Sequence, residues 1–236
     1  MKQIIRVFSL IFVSCILSGC LYPKERIAQQ IPAETSVQQV QEAVEAYQSE
    51  NNGLLPIKNK DSEMDQYIKY LIDFTKLVPQ YLPEIPANAY EAGGVFQYVI
   101  IIPETNPTVK IFDMEIAERI REINIRLSMQ KYPPFKEVIQ DNVFSLDFNK
   151  LGYEQEPVII SPFSGQNLPF IISSDGEIYV DYSADIYQIL QEKDVEQVEK
   201  YKDLRSLLVE DSIFVPAYSL PYIIDDFGAP VFIIKN

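Results

Sequence analysis

The sequence predicts an α+β fold in which amphipathic helices pack on small antiparallel sheets, arranged as two tandem, related units. Three observations lead there. Apolar residues recur at helical spacing in separate stretches, and β-rich runs bounded by Gly, Pro and Asp turns alternate with them. A five-residue phrase, Asp73-Phe74-Thr75-Lys76-Leu77, also returns as Asp147-Phe148-Asn149-Lys150-Leu151.

The elements follow in order. Thr35 or Ser36 is placed to cap a helix whose buried stripe is Val37, Val40, Val44 and Tyr47, and Asn51-Asn52-Gly53 is its stop. Leu54-Leu55-Pro56-Ile57-Lys58 reads as an extended exit. Val95–Ile101 and Thr108–Phe112 are β-rich and joined by a turn holding Pro103, Asn106 and Pro107. A second helix starts near Asp113, with Ile116, Ile120, Ile123 and Leu127 on one face, and ends before Tyr132-Pro133-Pro134-Phe135-Lys136. Asn167–Ser173 and Glu177–Tyr182 flank Ser174-Asp175-Gly176, a strong hairpin signal. A third helix spans Ala184 to about Leu208, with a break expected near Lys193-Asp194. Gly228-Ala229-Pro230 opens a final strand, Val231–Ile234.

In each copy of the repeated phrase an amphipathic helix and a Pro-bearing exit come before, and a glycine turn and a strand come after. Gly93-Gly94-Val95-Phe96 is set against Asp175-Gly176-Glu177-Ile178. A fainter third pass runs from Asp203-Leu204 to Gly228-Ala229-Pro230. The units are drawn at 36–112 and 113–236, and two helix stripes laid side by side on small sheets bury each other's apolar faces.

Ahead of the units, Lys2 and Arg6 precede an apolar stretch, and Leu17-Ser18-Gly19-Cys20 closes it. This is a secretory leader layout, too short to span a hydrocarbon core. It resembles the lipobox of bacterial lipoproteins. That resemblance implies removal of residues 1–19, lipid on Cys20, a tether over 20–35 and membrane attachment through acyl chains.

Composition bounds the chemistry. The formal charge is −14, a poor match for phosphate backbones, so no nucleic-acid partner is expected. The sequence has no histidine, and its two cysteines are Cys15 in the leader and Cys20. Histidine-assisted nucleophiles, thiol nucleophiles, disulfides in the mature chain and His/Cys metal sites are therefore excluded, and no cofactor is expected. Fifteen tyrosines and thirteen phenylalanines supply a core without disulfides.

Carboxylates are the catalytic device left. The pairs Asp225-Asp226, Glu210-Asp211 and Asp181 with Asp185 are candidates for glycosidase-type work, which needs two carboxyl groups across a cleft. Ser161 and Ser173 have no credible base. Asp225 and Asp226, with Asp175 and Asp181, are also candidate calcium ligands near turns. Phe214-Val215-Pro216-Ala217-Tyr218-Ser219-Leu220-Pro221-Tyr222 concentrates two prolines and three aromatics. Phe214, Pro216, Tyr218, Pro221 and Tyr222 either dock into a protein partner or form an aromatic lid over the core.

Two further resemblances are visible. The helix, Asn52-Gly53-Leu54-Leu55-Pro56 and the Asp225–Pro230 turn are similar to the globular part of type IV pilins and pseudopilins, an analogy of fold alone. Cys20-Leu21-Tyr22-Pro23-Lys24-Glu25-Arg26, Gly53–Lys58, Lys131–Lys136 and Phe214–Tyr222 resemble an uncharacterised, YphF-like family of Bacillus-type lipoproteins. This resemblance implies the outer face of the cytoplasmic membrane of a Gram-positive cell and brings no catalytic residues. The expected role is a non-enzymatic interaction or assembly module with a partner in the cell envelope. The alternatives are a small-ligand or cation receptor and a carboxylate-dependent hydrolase.

Overall fold

The computed structural model describes residues 33–58, 64–192 and 202–233. Cys20, the leader, most of the tether, the expected break near Lys193 and the end of the last strand lie outside them. Helix α1, Ala33–Glu50, buries Val37, Val40, Ala43 and Val44. It begins before the expected cap: Ser36 is inside the helix and buried, so the tether boundary at 35 overlaps helical residues.

After α1 the chain passes through a short helix α2 (Gln66–Lys69) and a 3-10 turn (Phe74–Lys76) into the hairpin β1 (Phe96–Ile101) and β2 (Thr108–Asp113). Strand side chains alternate between faces. Tyr98, Ile100, Val109 and Ile111 join α1, Ile72, Phe74 and Leu77 in one core. Val99, Ile101 and Phe112 point the other way and join a second core with helix α3, Glu115–Ser128. Burial on both faces explains why Tyr98–Ile101 of β1 reads as an apolar run without alternation.

The second core is built on a five-stranded antiparallel sheet of order β3-β4-β6-β5, with β7 also paired to β6. Its strands are β3 Phe135–Gln140, β4 Val143–Leu146, β5 Val158–Ile160, β6 Asn167–Ser173 and β7 Ile178–Val180. Helices α4 (Ser183–Glu192) and α5 (Arg205–Val209) and the hairpin β8–β9 (Tyr222–Ile224, Pro230–Phe232) complete it. Asp113 starts α3 as expected, its carboxylate accepting the N–H of Glu115 at 2.8 Å.

The repeated phrase makes the same contacts twice. Asp73 N–H donates to Pro56 O and Asp147 N–H to Pro134 O, at 2.7 and 2.8 Å. Ile57 bridges Ile72 as Phe135 pairs with Leu146. Each phrase then turns, Lys76 onto Asp73 and Lys150 onto Asp147, while Phe74, Leu77, Phe148 and Leu151 are buried. The glycine correspondence fails: Gly93-Gly94 precede β1, whereas Gly176 lies inside the β6–β7 hairpin.

The segment Phe214–Tyr222 is built into the fold. Ile111 N–H donates to Ile213 O and Val215 N–H to Ile111 O, at 2.9 and 3.0 Å, so the segment flanks β2. Further along it, Tyr218 O accepts Val180 N–H at 2.8 Å, tying β2 to β7. Phe214 packs edge-on to Phe96, and Tyr218 packs on Phe112. Pro216 and Tyr222 are buried and Pro221 half-buried. The Tyr222 hydroxyl accepts from Tyr182 N–H (2.8 Å) and donates to Asp181 (3.0 Å). These contacts fit the lid of the two alternatives, and Phe214 also lines the cleft between the cores.

Candidate functional site

A cleft of 1160 Å³ opens where the two cores meet. Its main walls are Tyr90 with Gly94–Phe96, Phe112 through the first two turns of α3, and β5 with Ser161 and Pro162; Ala33, Asn167, Phe214 and Val215 also line it. Tyr90, Val95, Val158 and Ile160 present exposed apolar surface there, Ile160 at 70% exposure.

The α3 wall carries Glu115, Glu118, Arg119 and Glu122. Arg119 meets Glu115 at 3.3 Å and Glu122 at 3.6 Å, and Arg126 meets Glu122 at 3.1 Å. These are i,i+3 and i,i+4 pairs along one exposed face, the ordinary electrostatics of a solvated helix. Asp113, at the start of α3, is the other carboxylate in the lining.

At the rim, Ser161 Oγ donates to Asp185 Oδ2 at 2.7 Å and accepts the N–H groups of Phe163 and Ser164 at 3.0 and 3.2 Å. Ser164 Oγ donates to the other oxygen of Asp185. The Ser161 hydroxyl is thus consumed by a turn. Asp185 is 2% exposed. Burial pushes its carboxyl above the ordinary range, against the two serine hydrogen bonds, with the Asp181 charge pushing the same way as burial.

This shift has a sign. The folded chain holds the Asp185 proton to higher pH than the unfolded chain does, so this group makes stability fall as pH rises from about 4 through the raised pKa. Asp185→Asn is expected to flatten that slope in urea titrations across pH. It is also expected to lower stability above the window by about 1 kcal/mol, because both serine hydroxyls are donors and Asn accepts only at its oxygen.

The acidic candidates resolve into turn chemistry. Asp225 Oδ1 accepts from Phe227 N–H and Ala229 N–H, both at 2.8 Å, shaping the β8–β9 turn. Asp226 is exposed beside it. Among the described residues no group of three His, Cys, Asp or Glu is placed to hold a metal ion. Asp175 accepts from Ser173 Oγ, and Asp181 accepts Ser183 N–H at 2.8 Å at the start of α4. Glu210 ends α5, with Asp211 next to it. Of the candidate site residues singled out from the sequence, Phe214 and Ser161 line the cleft; β5 was missed, and Pro157 followed by Val158-Ile159-Ile160 was the available strand signal.

Fold and cleft define an α+β protein with two hydrophobic cores that share a hairpin between them. Residues 33–113 match the YphF family N-terminal domain, which covers α1 to the end of β2. Over these residues the chain is YphF-like, and of the motifs that suggested the resemblance Gly53–Lys58 lies within the match. No curated protein and no solved structure matches the chain, and the pilin analogy gains no support from them. No described helix is long and apolar enough to cross a membrane.

Proposed function

We propose that this is an exported, lipid-anchored protein of the outer face of the cytoplasmic membrane. It acts as a non-enzymatic interaction or assembly module, with the inter-core cleft as its binding surface and two related units as its scaffold. The observation that carries the binding role is the cleft itself. Its volume lies above the ~300–1,000 Å³ typical of small-molecule pockets. Its apolar strand edge faces extended or protein-sized ligands, and its carboxylates are ion-paired in series along α3. The anchor rests on Leu17-Ser18-Gly19-Cys20.

Two experiments test this. Radiolabelled palmitate fed to cells is expected to enter the wild-type chain and not the Cys20→Ser variant; equal labelling of both removes the anchor. A photo-crosslinking amino acid at position 160 is expected to join a specific envelope protein. Its recovery with lipid alone would remove the interaction role.

A further inference from the structure

The acidic chain carries a tip rich in exposed apolar side chains, with Lys131 and Lys136 and the single acidic Glu137 among them. It runs from the last turns of α3 through Met129–Pro134 and along β3. Among the described residues, six of the fourteen exposed large apolar side chains fall within residues 125–139. Met129 is 77% exposed, Tyr132 73% and Val138 69%. No acidic residue lies between Glu122 and Glu137, whereas Arg126, Lys131 and Lys136 do. Arg126 is committed to Glu122, to the carbonyls of Leu151 and Gly152 and to the Tyr153 ring. Lys131 lies 5.5 Å from the Tyr132 ring centroid. Lys136 pairs with Glu156 at 3.2 Å, and Lys150, whose carbonyl accepts from Gln130, pairs with Asp147 at 3.1 Å. Those two ion pairs are exposed and contribute little, so their ammonium groups are free to exchange partners.

We propose that this tip docks on a lipid surface bearing anionic headgroups. Tyrosine, phenylalanine and methionine beside lysines suit an interface where rings and thioether enter the acyl boundary and ammonium groups reach headgroup phosphates. The edge strand itself argues against another strand as occupant. Its pairing with β4 is broken by two register shifts, and Glu137 N–H donates to Ser145 Oγ. Bulges and edge charges deter strand addition. The chain as a whole carries a formal charge of −14 and is repelled by the same headgroups, so the stretch between Glu122 and Glu137, free of acidic residues, is the side favoured to face them. The docking rests on the lipid anchor at Cys20, which supplies the tether while the tip sets orientation.

The chain contains no tryptophan, so Tyr132→Trp creates a single reporter. The full lipidated chain is reconstituted into vesicles of phosphatidylcholine and phosphatidylglycerol with brominated acyl chains. The expected result is blue-shifted emission and quenching at position 132, and neither for Phe227→Trp, a side chain 95% exposed at the β8–β9 turn. Lys131→Gln and Lys136→Gln should each shift the docking equilibrium about fivefold toward the undocked state. Flotation reports the anchor separately. A chain that floats without quenching overturns the tip and leaves the anchor standing; a chain that does not float removes both. Burial of the introduced indole that persists without a bilayer and rises with protein concentration assigns the tip to a protein contact and overturns the proposal.

Discussion

Arg205→Met is expected to lower stability by about 3 kcal/mol, the largest loss from any single charged side chain among the described residues. The guanidinium is 3% exposed and fully engaged. Nε and Nη2 reach the Asp203 carboxylate at 2.8–3.1 Å, and Nη1 reaches Asp65 at 2.8 Å and the Ser219 carbonyl at 2.9 Å. Its plane also lies 4.9 Å from the Tyr67 ring centroid. Removing it leaves two carboxylates without their cation. Both are about a quarter exposed, so water recovers part of the loss and the figure falls at the low end of the usual ~3–5 kcal/mol. Arg205→Lys should recover only part, because an ammonium has no fork to serve Asp203 and Asp65 together. Urea denaturation followed by circular dichroism measures this. A loss below about 1 kcal/mol would show that the clamp is incidental.

Gly94→Ala is expected to cost about 3 kcal/mol or more, through overpacking of backbone on backbone. A Cβ at position 94 would lie 2.2 Å from both the carbonyl carbon and the oxygen of Asn88. Asn88 has little room to yield. Its O accepts Phe96 N–H at 3.0 Å, and its side chain accepts the Tyr98 hydroxyl at 2.8 Å. The turn over Tyr90–Ala92 would have to part from β1, opening the cleft wall that both supply. Gly93→Ala is the control. Its φ is +86° with nothing near the added carbon, so it carries only the left-handed backbone cost of about 1–2 kcal/mol. Equal midpoints for the two variants would show that the close approach relaxes freely.

What was legible in the sequence was local. The stripe of α1, the apolar run Tyr98–Ile101 of β1 and the Asp175-Gly176 turn each carry their period or turn chemistry within a short stretch of sequence, and the helix, strand and hairpin stand there. Strands β3 to β5 escaped for a physical reason. Five of the six β3 residues are exposed, so no apolar alternation marks it, and Pro133-Pro134 reads as an exit. The Phe214–Tyr222 segment has the composition of both a docking peptide and a lid; the bonds from Ile111 and Val180 that tie it into the fold are both non-local. The Asp65 partner of Arg205 lies 140 positions away. The cleft was invisible because its three walls meet only after both cores form.

The hairpin β1–β2 has a consequence for how this polypeptide divides. The family domain stops at residue 113, yet severing the chain there would strip Val99, Ile101 and Phe112 of the α3 and β-sheet neighbours they have in the second core. A boundary drawn from ancestry is thus not a seam along which the molecule comes apart. The excised piece would present a greasy sheet to water, and its natural complement is the remainder of the same polypeptide.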